Sequence, residues 1–282
     1  MTTEKTENEN IVFSDSDSED EQKCIVSEEV DIRLQENTNA IVRGFKEFLS
    51  KPSFIKNKGD SDTNIVDLYS KKCYCIPENK ISKFMKFIEI MRRKKLKMML
   101  YEKQQEYSGI MLDFDFKLKE GGLSPITNTH YHRLCMKLFK ILLKYLHFDK
   151  EEMGTQKEYY VCFTKKPKVL NDTDGNFYKD GRHVLIPEIQ ITREFKKLII
   201  DDLINENAME KVFKEITNHE SITKNDFIDK NSAHVGTFFI GSSSKVNNPP
   251  YEIDMIYKIQ IIVGDSDDII PIDVTDEFLN KS

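Results

Sequence analysis

The sequence predicts an α+β fold, and three observations carry that expectation. Residues 110–118 (IMLDFDFKL) alternate strictly, with Ile110, Leu112, Phe114, Phe116 and Leu118 apolar and Met111, Asp113, Asp115 and Lys117 between them. A period of two is a strand with one face in a core and the other left to solvent or function. Residues 129–147 and 193–216 space their apolar side chains at three and four, as amphipathic helices do. Strands and helices then follow one another without a regular βαβ repeat, which favours α+β over a doubly wound parallel sheet.

The elements follow in order. Residues 1–40 hold 12 acidic and 3 basic residues, so the net charge of −6 belongs to the tail, and the rest of the chain is slightly basic. The run Ser14-Asp-Ser-Asp-Ser-Glu-Asp-Glu21 has no core-forming residue and cannot offset the entropy of ordering, so residues 1–35 are expected to be a disordered acidic tail and residues 36–282 one globular domain. Within that domain 39–49 reads as a helix and 52–62 as a loop. A helix is expected over 81–91, with Ser82 as cap and Arg92, Arg93, Lys94 and Lys95 at the C-terminal end, where the helix dipole tolerates cations. Strands are expected at 96–102, 110–118 and 159–164. A turn at Asp174-Gly175 and a short apolar run, 183–186, closed by Pro187 come next. Thr192 is placed to cap the helix that follows it, and two more strands are expected at 237–240 and 253–263.

Composition excludes several classes. No window of about 18 apolar residues exists to cross a membrane. The N-terminus lacks the basic and apolar regions of a secretory signal. Five irregularly spaced cysteines fit free thiols in a reducing compartment. The expectation is a soluble intracellular protein.

Three short segments carry chemistry. Asp113 and Asp115, two apart on a strand, project to the same side about 6–7 Å from one another, close enough to share one or two divalent metals. Two acids on a solvated strand face are also common without any metal. Gly181-Arg-His-Val-Leu-Ile-Pro187 presents His183 at the start of an apolar strand, for phosphate binding or proton transfer, unless it is a structural histidine at a hairpin end. Phe227-Ile228-Asp229 is followed by Thr237-Phe-Phe-Ile-Gly-Ser-Ser-Ser-Lys245, where Gly241 and the serines, Ser243 among them, can aim amides and hydroxyls at an anion with Lys245 as point charge. The alternative is a serine-rich hairpin. No G-x-x-x-x-G-K-[ST] phosphate loop occurs in the chain.

In this order, Asp-x-Asp, Gly-x-His, and Asp before Gly-Ser-Ser-x-Lys, the segments resemble the archaeo-eukaryotic primase superfamily. Within it the chain is most similar to the N-terminal primase domain of the helicase-primases of nucleocytoplasmic large DNA viruses. The strings that carry the resemblance are Tyr107 to Leu118, Gly181 to Pro187, Asp229 to Val235, Gly241 to Lys245 and Pro250-Tyr251. It covers roughly residues 36 to 275 and implies an RRM-like antiparallel sheet joined to an N-terminal α/β unit. By the same resemblance Asp113, Asp115 and Asp229 would be the catalytic residues, binding two divalent ions, Mg²⁺ or Mn²⁺. His183 would contact the phosphates of an incoming nucleotide, with Arg182, Ser243 and Lys245 beside it. Relatives often carry Ser where this chain has Gly181, so the contact made by that hydroxyl is absent. The implied activity is primer synthesis on single-stranded DNA by nucleotidyl transfer.

Further expectations concern partners. Template strand would lie on Arg92, Arg93, Lys94, Lys95 and Lys97 or on Lys165, Lys166 and Lys168, although basic runs are most often only solvated faces. Viral relatives continue into a superfamily 3 helicase, whereas this sequence reaches Ser282 without one, so the helicase is expected in trans or in a longer parent chain. Cys73 and Cys75 offer two thiols with no neighbouring Cys or His, so no zinc is expected. Location in the host-cell cytoplasm follows from the same viral resemblance. Two rival readings stand beside the primase: a metal-dependent nuclease using the same acids, and a non-catalytic replisome adaptor.

Overall fold

The computed structural model describes residues 38–118, 125–147, 151, 154–165, 169–171, 177–205, 209–217, 228–230, 232, 237–238, 250–264 and 268–280. The expected tail over 1–35, the turn at Asp174-Gly175, and Lys166, Lys168, Gly241, Ser243 and Lys245 lie outside the described residues. The chain divides into two units after Phe48. A helix (α1) covers residues 38–49 and ends at that boundary, where the spacing predicts a helix over 39–49.

The second unit holds two sheets. The smaller is built from β1 (Ile55–Lys56), β2 (Ile65–Asp67), β3 (Cys73–Tyr74), β4 (Leu100–Glu102) and β9 (Thr237–Phe238), in the order β1-β3-β2-β4-β9. Between β3 and β4 lies α2 (Glu78–Arg93), which buries Phe84, Ile88 and Met91. It starts four residues before Ser82, with Pro77 at the cap position, where a missing N–H costs nothing. Its C-terminus is closed by Lys95 at φ 52°, whose amide donates to the Arg92 carbonyl, while the Leu96 amide donates to the Met91 carbonyl.

The larger sheet contains β5 (Tyr107–Leu118), β6 (Gln156–Lys165), β8 (Phe177–Thr192), β10 (Glu252–Ile262) and β11 (Asp268–Asp273) in the order β11-β10-β6-β8-β5, with β7 (Val169–Asn171) paired to β8. Every pairing is antiparallel. β5 and β6 therefore run parallel with β8 inserted between them, joined through α3 (Asn128–Leu142). This split β-α-β unit is the heart of the RRM-like arrangement the resemblance implies, and the α+β expectation holds.

One face of the large sheet is the core. Leu112, Phe114 and Phe116 of β5, Val184 and Ile186 of β8, Val161 and Phe163 of β6, and Ile259 and Ile261 of β10 are at most 1% exposed. They pack against α3, α4 (Arg193–Asn205) and α5 (Glu210–Thr217) through residues such as Leu138, Phe139, Ile200, Val212 and Phe213. Each such side chain contributes about 1.5–3 kcal/mol by burial. The single helix expected over 193–216 is thus two described helices, the first capped by Thr192, whose Oγ1 accepts from the Phe195 amide at 3.2 Å. A short α6 (Thr275–Asn280) ends the described chain.

Pro187 does not close the strand as the sequence reading expected. β8 runs through it, because its pairing with β5 breaks there: Ile186 pairs with Ile110, and the next pair is Ile191 with Ser108. A bulge of this kind needs no ladder hydrogen bond from Pro187, so the missing N–H is tolerated. The single residue opposite, Gly109, has no room for a side chain, since a Cβ would lie 2.9 Å from the Pro187 Cα and 3.0 Å from the Ile186 oxygen.

Candidate active site

The face of the large sheet opposite the helices is built from the residues between the core positions. Thr164, His183 and Asp113 are cross-strand partners on β6, β8 and β5, and Asp115 faces Gly181. Directly opposed residues of an antiparallel pair share a face, so both acids and the histidine point the same way. His183 is 6% exposed, with Nε2 3.7 Å from Asp113 Oδ2, within ion-pair range and too long for a hydrogen bond. Gly181 puts no side chain beside Asp115 and leaves that carboxylate room.

Asp229 joins them through the backbone. Ile228 forms an isolated antiparallel bridge with Phe114, and the Asp229 amide donates to the Asp113 carbonyl at 3.0 Å. The Ser232 amide donates in turn to the Asp229 carbonyl at 2.9 Å and tightens the turn that follows. The three acids named from the sequence are therefore neighbours in the chain path. Among the described residues, no three His, Cys, Asp or Glu side chains are gathered closely enough to hold a metal by themselves. Mg²⁺ in phosphoryl-transfer sites takes one or two carboxylates, waters and substrate phosphates rather than an all-protein cage. The hard oxygen donors of Asp113 and Asp115, with Asp229 docked beside them, fit that mode.

Tyr251 was missed as a functional residue. Its ring stacks on His183 at 4.7 Å between centroids and 22° between planes. Burial pushes its phenol up to about 12, and the charges of Asp113 and Asp115 act in the same direction, which sets Tyr251 beside both acids. Its position after Pro249-Pro250, at the start of an alternating strand, marked a fixed chain entry into the sheet; its packing partner could not be read from one sequence.

Arg182 is not where it was expected. It pairs with Phe114 on the helix-packed face and is 1% exposed. Its Nε donates to the Tyr131 hydroxyl at 2.8 Å and to Asp254 Oδ2 at 2.7 Å, and its Nη1 to Asp180 Oδ1 at 2.5 Å and the Gly181 carbonyl at 2.9 Å. The Tyr131 hydroxyl also donates to Asp254. This buried network lies beneath β8 and fixes the strand that presents His183 on its other side.

The basic run is divided. Arg92 meets Glu89 through two hydrogen bonds of 3.0 Å and Arg93 through one of 2.6 Å. Those bonds, Arg92's first, hold the Glu89 carboxyl down at about 2. Lys94, Lys95 and Lys97 are exposed past the helix end, and Lys165 closes β6. Cys73 and Cys135 are buried, Cys75 and Cys162 half-buried, and all four are free thiols. Burial pushes the Cys162 thiol up to about 12, which leaves it a poor nucleophile. No helix among the described residues is long and apolar enough to cross a membrane.

Comparison with known proteins bears on the family of the chain. The model of the C962R protein N-terminal AEP domain, an archaeo-eukaryotic primase domain, matches residues 63–257. The chain is 30% identical over 219 residues to "Putative primase C962R" of African swine fever virus (isolate Tick/Malawi/Lil 20-1/1983), covering 76% of this chain and 21% of that protein. It is 27% identical over 184 residues to "Putative helicase L207/L206" of Acanthamoeba polyphaga mimivirus, covering 64% of this chain and 18% of that one. It thus spans about a fifth of the length of these relatives. The matched region runs from just before β2 into β10 and contains every described site residue, from Asp113 to Tyr251, and the chain belongs to the family of C962R protein N-terminal archaeo-eukaryotic primase domains.

Proposed function

We propose that this chain is a primase catalytic domain that joins nucleotides on a single-stranded DNA template. The observation that carries the reading is the shared face of Asp113, Asp115 and His183, with Asp229 bonded to the Asp113 backbone, in a member of this family. When bound, divalent ions lower the pKa of the primer 3′-hydroxyl and neutralise the leaving pyrophosphate. Asp113, Asp115 and Asp229 would hold them. His183 offers a ring nitrogen beside Asp113 to the triphosphate, and Tyr251, stacked on the imidazole, keeps the ring from rotating away. The Arg182 network holds β8 from below, so His183 needs little reorganisation when charge develops. Lys245 and Ser243 belong to the proposal as phosphate contacts by resemblance.

Template strand would follow the exposed lysines after α2, Lys94, Lys95 and Lys97, rather than Arg92 and Arg93, which Glu89 engages. A superfamily 3 helicase, in trans or in a longer chain, is the proposed partner; one relative bears the name helicase. The test is template-dependent synthesis with ribo- and deoxynucleotide mixtures in Mg²⁺ or Mn²⁺. Asp113→Ala with Asp115→Ala is expected to abolish product while leaving the unfolding transition in place. Undiminished product from that double variant overturns the assignment, and strand cleavage without nucleoside triphosphates favours a nuclease.

A further inference from the structure

The face that carries the acids continues along the strands into a cleft of about 480 Å³. Its floor is the next row of cross-strand partners. Cys162, Leu185 and Met111 stand on β6, β8 and β5 as Thr164, His183 and Asp113 do in the row of the acids. Two residues of extended chain advance about 6–7 Å, so the floor begins that far from Asp113. The bulge supplies one wall, where Gly109 and Pro187 meet backbone to backbone and Gln190 stands at the rim. The segment from Glu102 to Ser108 supplies the other.

The chemistry of this cleft is that of a flat heteroaromatic ligand. The floor is apolar. Tyr107, 62% exposed, stands at the mouth as a free-standing ring. Gln104 is 8% exposed, and its Oε1 accepts from Lys196 Nζ at 3.0 Å, which fixes the amide so that Nε2 is the donor. That Nε2 has no acceptor among the described residues and is itself closed off from solvent, so it lies behind the cleft wall and does not reach its surface. Among the described residues the lining carries no lysine or arginine, and the neighbouring Lys196 ammonium is engaged by Gln104 Oε1 and Ser108 Oγ, which argues against a phosphate as the ligand.

We propose that this cleft receives a nucleobase, seated on Met111, Leu185 and Cys162 and stacked on Tyr107. The inference rests on the nucleotidyl-transfer reading for its place beside the acids. The base can belong to the incoming nucleotide or to the template strand, and the two sources are separable by experiment.

Equilibrium binding to the full chain with Mg²⁺ is measured in two arms. One compares ATP with ribose 5-triphosphate, which lacks the base; the other walks a single abasic position along a short single-stranded oligonucleotide. Wild-type protein is expected to lose roughly tenfold in affinity when the critical base is removed, the scale of one base–aromatic stack. Loss in the triphosphate arm assigns the cleft to the incoming nucleotide, and loss at one oligonucleotide position assigns it to the template. Leu185→Phe, which fills the floor, and Tyr107→Ala, at an exposed position, are each expected to bind base-bearing and base-free ligands alike. Wild-type indifference in both arms overturns the proposal, as does full discrimination retained by both folded variants. Primer synthesis is measured separately on the same wild-type protein. Intact discrimination in a wild-type protein that makes no primer therefore sinks the catalytic reading alone, and synthesis without discrimination sinks the cleft alone.

Discussion

Replacing Arg182 by methionine separates a structural cation from a nucleotide-binding one. The side chain is 1% exposed and its partner Asp180 0% exposed. One Asp180 oxygen, Oδ2, finds no donor among the described residues, so Oδ1 depends on the 2.5 Å bond from Arg182 Nη1. Methionine fills much of the arginine stem and strands that carboxylate without a cation. Removing one partner of a buried ion pair costs about 3–5 kcal/mol. With a urea dependence of roughly 2–3 kcal/mol per molar for a chain of this size, the unfolding midpoint is expected to fall by about 1–2 M. Adding Asp180→Asn removes the stranded charge, so the double variant should lose clearly less than the two single losses added together. Nucleotide affinity measured well below the transition should change little. A midpoint within about 0.4 M of wild type, strict additivity, or a more than tenfold loss of nucleotide affinity in folded protein would refute the reasoning.

Lys95 occupies left-handed backbone at φ 52° where glycine is favoured, so Lys95→Gly is expected to stabilise the chain by about 0.5–1 kcal/mol in urea titration; a loss of stability counts against the cap. Burial, helped by the Arg193 charge and opposed by Glu102, lowers Lys196 from 10.5 to about 8. Between those values the unfolded chain holds a proton that the folded one has released, so this group's contribution to stability rises with pH across that window and is a constant cost below it. The unfolding free energy of wild type relative to Lys196→Met should therefore move in favour of wild type from about pH 8 to about pH 10, and a difference that stays flat would contradict it. Neutralising Lys94 and Lys97 together should weaken single-strand binding at all template sequences and reduce the log–log salt slope by about 1.4 if both contact phosphates; an unchanged slope removes them from the template path.

Strand β5 was legible because its period of two is unbroken over nine residues and its partners are set by that parity. The same rule held a warning about the next motif: adjacent residues of a strand point oppositely, so Arg182 could not share the face of His183 if both lay in β8. The strands of the small sheet, two or three residues each, have no period to read, since tertiary pairing rather than local pattern makes them strands. Pro187 reads as a stop in one dimension and becomes a bulge only when Gly109 lies across from it. Tyr251 and the cleft row of Cys162, Leu185 and Met111 have the same origin, neighbours supplied by register between segments far apart in the chain.

The stretch from Ile228 to Phe238 is fastened at both ends, by the Ile228–Phe114 bridge to the large sheet and by the Phe238–Tyr101 pairing to the small one. Asp229 rides on this tether, and Asp113 and Asp115 ride on a ladder that the large sheet completes by itself. The third carboxylate is therefore a reporter of whole-domain assembly, because closing so long a chain segment is the slow part of folding. A lesion in β4 or β9 can leave the large sheet intact and still disarm the site, so inactive protein with native-like helical content is an outcome this architecture builds in.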